Sequence, residues 1–429
     1  MKFKFVFWNQ LKYLGNLTFS IVLLLIISLI SLVGTIIEQD NNLEYYQEKY
    51  PLDTNNLFAL NWEVIEQFKL NQIYNSWLFL GLLLIFSLSL IICTFSTQLP
   101  SLKNARQWKF KRNISINKQL YSQNYNLFKS FSTIGCYMNQ SEYYIFYQKY
   151  YLYCYKGLQG KLAPIFVHLS ILLLLSGSVT SLLTSFSIQE MVPAGEMFNM
   201  QNVINSGSLS SIPNNISGRV NNFEIDYYSN RSIKQFYSFI TLKDNTHQNF
   251  KKKLISVNDP LYFKDLTIYQ TDWQINGIRL EVNDKKSIQI PVKKLDNNNQ
   301  AYWFANLQYN KTNSYSFIIS NIDGNIACYN REGRFLHLLQ VKQRNTIDYV
   351  PIKITDILTS TGLQIKQDSG VWIIYLSFLF LMLSILISYI SYSQVWLTID
   401  HSILKISGTT NRAEINFEED MYKLKKFLL

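Results

Sequence analysis

The chain has 429 residues, 48% of them hydrophobic, and a formal net charge of +11. Its apolar residues are gathered into long uncharged runs, which excludes an ordinary soluble domain and marks a membrane protein. The positive balance falls in loops beside those runs, where it sets topology and favours anionic headgroups; it calls for no nucleic acid.

The first run, residues 14–37, follows Lys2, Lys4 and Lys12 and is followed at once by Glu38. It lacks a small-residue cleavage site and reads as a retained span, not a removed signal peptide. The loop behind it is acidic, with Glu38, Asp40, Glu44, Glu48, Asp53, Glu63 and Glu66. A second run covers about residues 73–94, with Trp77 near its start, where an indole suits the headgroup region. Residues 98–161 then carry Lys103, Arg106, Lys109, Lys111, Arg112, Lys118, Lys129, Lys149, Lys156 and Lys161 against one acid, Glu142. The third run spans 162–186 and the fourth 371–395, with Trp372 and Trp396 at its ends.

The positive-inside rule places the N-terminus and the basic loop on the cytoplasmic side or its organellar equivalent. The expected order is two spans with an acidic outer loop (1–97), a basic inner loop (98–161) and a third span (162–186). An outer domain (187–370), a fourth span (371–396) and an inner tail (397–429) complete it. The fold class is membrane α + β: four transmembrane helices with a large β-rich domain between the third and fourth.

Within that domain, short β-branched and aromatic runs alternate with turn residues. Examples are residues 220–228, 236–242, 267–270, 278–282, 287–292, 314–320 and 335–341. Turns are expected at Asp323-Gly324, at Glu332-Gly333 and over residues 294–300. The length suffices for one core, as a sandwich or barrel. Two dense clusters stand out, VNDPL at 257–261 and YQTDW at 269–273. Asp259-Pro260 forms a turn pair, and the plain reading is a loop pinned by packing of Trp273. His247 sits in a polar loop and His337 in an alternating run; neither has the spacing of a zinc site, and His401 has no assigned role. Of the four cysteines only Cys328 lies in the outer domain, and no CxxC occurs. An intramolecular outer disulfide and a thiol oxidoreductase are therefore not expected.

His168 is the histidine placed inside an apolar run. An ionisable ring in lipid is either a functional group or an imidazole bonded to a carbonyl or hydroxyl of a neighbouring helix. It lies seven residues beyond Lys161, roughly 10 Å along the helix from the inner boundary.

Motifs in a fixed order add a resemblance. GTIIEQ at 34–39 closes the first span, IYNSWLF at 73–79 opens the second, and Cys93-Thr94 with Pro100 ends it. Lys156-Gly157 leads through Pro164 to His168, and the outer domain carries NDPL at 258–261 and YQTDW at 269–273. TGLQIK at 361–366 and Asp368 precede the fourth span; SQVW at 393–396, NRA at 411–413, Phe417 and Glu418 follow it. In number, order and placement along nearly the whole chain these resemble the ResB/CcsB-like family, the membrane subunit of System II cytochrome c biogenesis. The chain departs from it at Ser369-Gly370, where members often carry a small residue or Pro-Gly, and near Tyr392, where some have histidine.

The resemblance implies a haem handler that works with CcsA, a multi-span partner bearing a tryptophan-rich haem-binding segment that this chain lacks. The pair would move haem across the membrane to apocytochromes c, cytochrome f and soluble c-type cytochromes in a plastid, for attachment at CxxCH. It implies haem ligation by His168, steadied by Ser170 and Ser176, and makes Asp368, Asn258 and Trp273 functional candidates. Asp368 is otherwise an interfacial carboxylate paired with Lys366 or water. The residues supply no nucleophile or acid–base pair, so an accessory, non-catalytic subunit is expected. Composition and the lack of a transit peptide point to a plastid thylakoid membrane with the outer domain in the lumen and both termini in the stroma, a bacterial membrane being the alternative. Two further readings remain: a scaffold that docks apocytochrome or stabilises CcsA without touching haem, and a solute transporter, for which inverted repeats are missing.

Overall fold

Among the described residues, the α-helices of eight residues or more are, in chain order, α1 (Leu17–Ile36), α2 (Trp77–Cys93), α3 (Leu99–Arg106), α4 (Phe131–Gln140), α5 (Ala163–Thr184), α6 (Val371–Ser388) and α7 (Glu414–Leu428). In this computed structural model, residues 13–429 are described apart from 42, 53–60, 110–120, 127–128, 230–231, 247–248, 283–285, 298–299, 310–313, 321, 323–324, 348–349 and 401–402. The readings at Lys2, Lys4, Lys12, Asp53, Lys111, Arg112, Lys118, His247, Asp323-Gly324 and His401 lie outside the described residues, as does part of 294–300.

Among the described residues, four helical segments are long and apolar enough to cross a bilayer, built around α1, α2, α5 and α6. Their side chains are mostly exposed to where lipid would lie, as a span requires. The second span starts later than the hydrophobic run, because Leu70–Asn75 is a 3-10 turn and Ser76 caps α2 by accepting from the Phe79 N–H. Beyond Cys93 the helix loosens into a π turn, Thr94–Gln98, before α3. The chain divides into two compact units, residues 1–178 with 372–429 and residues 179–371.

In the first unit, a five-stranded antiparallel sheet joins segments that the sequence reading kept apart as an inner loop and a tail. Its order is Tyr121–Asn126, Ile403–Thr410, Ser393–Asp400, Tyr151–Lys156, Tyr144–Gln148. The central register pairs Val395 with Cys154, Trp396 with Tyr153 and Leu397 with Leu152. Alternation sends Leu152, Cys154, Val395 and Leu397 to one face, where α4 and α7 cover them with Ile134, Met138, Phe417, Met421, Leu424 and Leu428. The α7 stripe at 417, 421, 424 and 428 has the spacing of a helix laid on a core. The other face carries stacked rings, Phe146 on Tyr155 at 5.8 Å, Tyr153 on Trp396 at 5.8 Å and Trp108 on Phe146 at 4.4 Å.

In the second unit, two long strands, Leu266–Val282 and Val350–Gln367, pair along their length and form the spine of a seven-stranded sheet. Register shifts at Gln270/Asp272, Ile275/Gly277 and Arg279/Leu280 bend the pair. One end packs against a four-stranded sheet over Ile188, Val220, Ile240, Leu242, Ile268 and Leu363. The other packs against a five-stranded meander over Ile278, Leu280, Trp303, Phe317 and Ile352. The single expected core is thus two cores sharing bent strands. The strands expected at 267–270 and 278–282 are the two ends of one. Cys328 is buried in the second core, and no disulfide joins the four cysteines.

Candidate functional site

α5 opens on Ala163-Pro164, a position where proline costs no helical hydrogen bond. Less than two turns later the half-buried His168 points its Nδ1 at Thr94 Oγ1, 2.9 Å away. Thr94 stands at the start of the π turn that ends the second span, and its hydroxyl donates to the Leu90 carbonyl at 2.7 Å. A hydroxyl has one proton. With that proton on Leu90, Thr94 Oγ1 accepts, so Nδ1 carries an imidazole hydrogen. Nε2 has no hydrogen-bond partner among the described residues. In the neutral ring this anchors one nitrogen and leaves the other its lone pair, the form in which histidine binds a metal. Ser170 and Ser176, expected to bond neighbouring helices and so steady the position of His168, donate to the Val167 and Leu173 carbonyls of their own helix. Thr94 does that work; the quoted Cys93-Thr94 pair contained it, but only the fold brings it to His168.

Asp368 is exposed and accepts from Ser181 Oγ at 2.5 Å and from the Gly370 N–H at 3.0 Å. Lys366 is not its partner, which corrects that expectation. The carboxylate links the end of α5 to the start of α6, beside a helix N-terminus where negative charge is favoured.

Asn258 and Trp273 stand in different surroundings. Asn258 adopts φ +69°, a left-handed conformation that asparagine tolerates. Its turn returns the chain from Ser256 to Asp259, whose N–H donates to the Ser256 carbonyl at 3.1 Å, and Lys253 pairs with Asp259. Trp273 is not in a loop: residues 269–273 lie inside the Leu266–Val282 strand. Its ring is 5.3 Å from Trp303 and 6.1 Å from Phe223, so it closes the second core and does not pin the 257–261 turn. His337 is exposed on the Phe335–Gln340 strand. Among the described residues no group of three His, Cys, Asp or Glu side chains is placed to hold a metal ion.

Two features of the β-rich domain went unnoticed in the sequence. Gln270, the second residue of YQTDW, is buried and donates to Ser238 at 2.8 Å and Thr361 at 3.2 Å. Both Gln270 and Glu190 lie opposite Leu363 on neighbouring strands, and Glu190 Oε2 has no partner among the described residues. Burial pushes the Glu190 carboxyl above the usual carboxylate range.

The chain matches the ResB-like family over residues 17–332 and 323–422. It is 44% identical over 423 residues to the cytochrome c biogenesis protein Ccs1 of Porphyra purpurea, covering 99% of this chain and 97% of that protein. The Ccs1 of Gracilaria tenuistipitata var. liui is 42% identical over 431 residues, covering 99% and 98% of the two chains. That of Thalassiosira pseudonana is 40% identical over 429 residues, covering 97% and 99%.

Proposed function

The chain belongs to the ResB-like family, and on that premise we propose that it acts in cytochrome c biogenesis at the step of haem delivery and attachment, in a membrane complex with CcsA. The observation that carries the finer reading is the Thr94–His168 bond, which leaves Nε2 as a bare donor. A neutral imidazole of fixed tautomer fits haem iron, for which histidine is a common axial ligand. Haem is cargo here, and it brings the vinyl groups that end as thioethers on an apocytochrome. This chain's own residues orient and retain: Thr94 sets the ring, and the apolar neighbours of His168 limit water around it. We assign it an accessory, non-catalytic part, in a plastid thylakoid membrane with the β-rich domain in the lumen and the termini in the stroma.

A scaffold reading competes, because a hydroxyl partner is also what a merely packed histidine needs. The test is the absorption spectrum of the full chain purified with CcsA, with and without His168→Ala. Loss of the haem bands together with lower holocytochrome yield supports ligation. Unchanged spectrum and cytochrome assembly sink it and leave the scaffold.

A further inference from the structure

The π turn after α2, α3 and the start of the Ser393–Asp400 strand line an open cavity of about 500 Å³. Ser96, Thr97, Asn104, Lys109, Lys161 and Tyr392 are among its lining residues, and no carboxylate is. Lys109 and Lys161 thus bring two positive charges to one cavity. Neither Lys109 nor Lys161 forms an ion pair among the described residues.

The walls are held in place. Tyr392 Oη donates to the Ala105 carbonyl at 3.1 Å and accepts from Gln394 Nε2 at 2.9 Å. Lys161 Nζ sits 5.3 Å from the centre of that fixed ring. Trp396 Nε1 donates to the Lys109 carbonyl at 2.7 Å, anchoring the backbone that carries the second lysine. Like charges gathered at the mouth of an apolar helical segment, with hydroxyl and amide donors and no acid, create a focused positive potential. Such a site is complementary to a carboxylate or a phosphate.

We propose that this cavity binds the anionic group of a membrane amphiphile, the propionate carboxylates of a porphyrin or the phosphate of an anionic lipid. Only the porphyrin source rests on the haem-handling reading. In that case the charged end of the cargo lies roughly 10 Å along the helix from His168.

The test uses the full chain in nanodiscs of zwitterionic lipid, titrated with metal-free protoporphyrin IX and with its dimethyl ester, followed by tryptophan quenching. The wild type should bind the dicarboxylate at least about tenfold tighter than the ester, with the preference fading as salt rises. Lys109→Gln/Lys161→Gln should abolish the preference, and Lys109→Arg/Lys161→Arg should retain it. His168→Ala should keep it, since no iron is present, so failure of the ligand reading registers separately. If acid and ester bind alike but the wild type co-purifies with phosphatidylglycerol that the glutamine variant lacks, the site belongs to lipid phosphate. Equal porphyrin binding by the wild type, without salt dependence, and equal anionic lipid in both proteins overturn the proposal.

Discussion

His168 donates a 2.9 Å hydrogen bond to Thr94, and the direction of that bond is set by a third group, the Leu90 carbonyl that takes the threonine proton. Removing the acceptor should therefore act on the ring's tautomer and orientation without touching Nε2, the atom proposed to bind haem iron. Thr94→Val is expected to lower haem retention by about 10- to 100-fold, the usual cost of losing an outer partner of a metal-binding histidine. Thr94→Ser should retain it. The haem absorbance of the chain purified with CcsA measures both, and a valine variant indistinguishable from wild type would refute the tautomer argument.

Gly157 and Gly160 let the turn before α5 pass against the chain that leaves α6. A Cβ on Gly157 would lie 1.9 Å from the Ser391 carbonyl oxygen, and one on Gly160 1.9 Å from that of Ile390. Gly157 also has φ +75°. Gly157→Ala should sharply reduce folded yield, because backbone must move in addition to a strain of about 1–2 kcal/mol. Gly195 offers the comparison: φ is +92° but the space beside it is open, so Gly195→Ala should cost only the strain. Thermal melts of the two variants should differ accordingly, and equal melting temperatures would argue against the close approach.

How much of this was legible in the sequence depends on whether the signal is local. The spans were readable because an uncharged run of twenty residues has few other uses. The β-rich class was readable because alternation at residues such as 314–320 survives in the fold. The sheet of the first unit was not, since its central strands sit some 240 residues apart and Tyr151–Lys156 carries rings on one face and a core on the other, which blurs the alternation. Trp273 was misplaced for a related reason: a polar, turn-rich string reads as loop, while a bulge between Gln270 and Asp272 lets a strand absorb it. His168 was visible at once. Thr94, which sets its tautomer, was visible only as part of a motif, because no spacing rule connects residues on different helices.

Two carboxylates of the second unit should respond to acid in opposite senses. Asp244 is buried, 2.5 Å from Lys264, and also accepts from Thr246 and Asn215. The Lys264 ammonium, with the Thr246 donors, holds its carboxyl well below the usual range. A depressed folded pKa gives stability that is present above the unfolded value and lost as pH falls through the folded one. The deficit of Asp244→Asn should thus be largest near neutrality and shrink in acid. Glu190 is raised by burial, so its contribution is present below the unfolded value and lost as pH rises through the folded one. Glu190→Gln should accordingly gain most near neutrality. Melting temperatures of the three proteins from pH 7 to pH 3 check both signs.

Asn258 and Trp273 should behave as fold residues. Asn258→Gly keeps the left-handed turn and is expected to be near neutral, whereas Asn258→Val should cost about 1–2 kcal/mol. Trp273→Ala opens a gap between Phe223 and Trp303 and should cost several kcal/mol, toward the ~3–5 typical of an aromatic truncated in a core. If the haem absorbance of the complex falls with Trp273→Ala while its melting temperature stays, the residue has a role beyond packing.

The five-stranded sheet of the first unit makes the last prediction, because it ties a tail to a loop distant in sequence. α7 covers the sheet with Phe417, Met421, Leu424 and Leu428, all buried, and the Phe417 ring occupies the space where Gly408 lacks a side chain. Removing α7 leaves the core around Leu152, Cys154, Val395 and Leu397 open to water on the side it covered. The burial that α7 supplied is lost at roughly 25 cal/mol per Å² of apolar surface, and α4 loses its neighbour. Truncation before Glu414 should therefore unfold the Tyr121–Asn126 and Tyr144–Lys156 region and expose it to protease, although no residue there has changed. Phe417→Ala should do the same in part, at about 3–5 kcal/mol. Limited proteolysis with mass mapping in residues 98–161 reads the effect. A tail that folded by itself would leave that cleavage pattern unaltered.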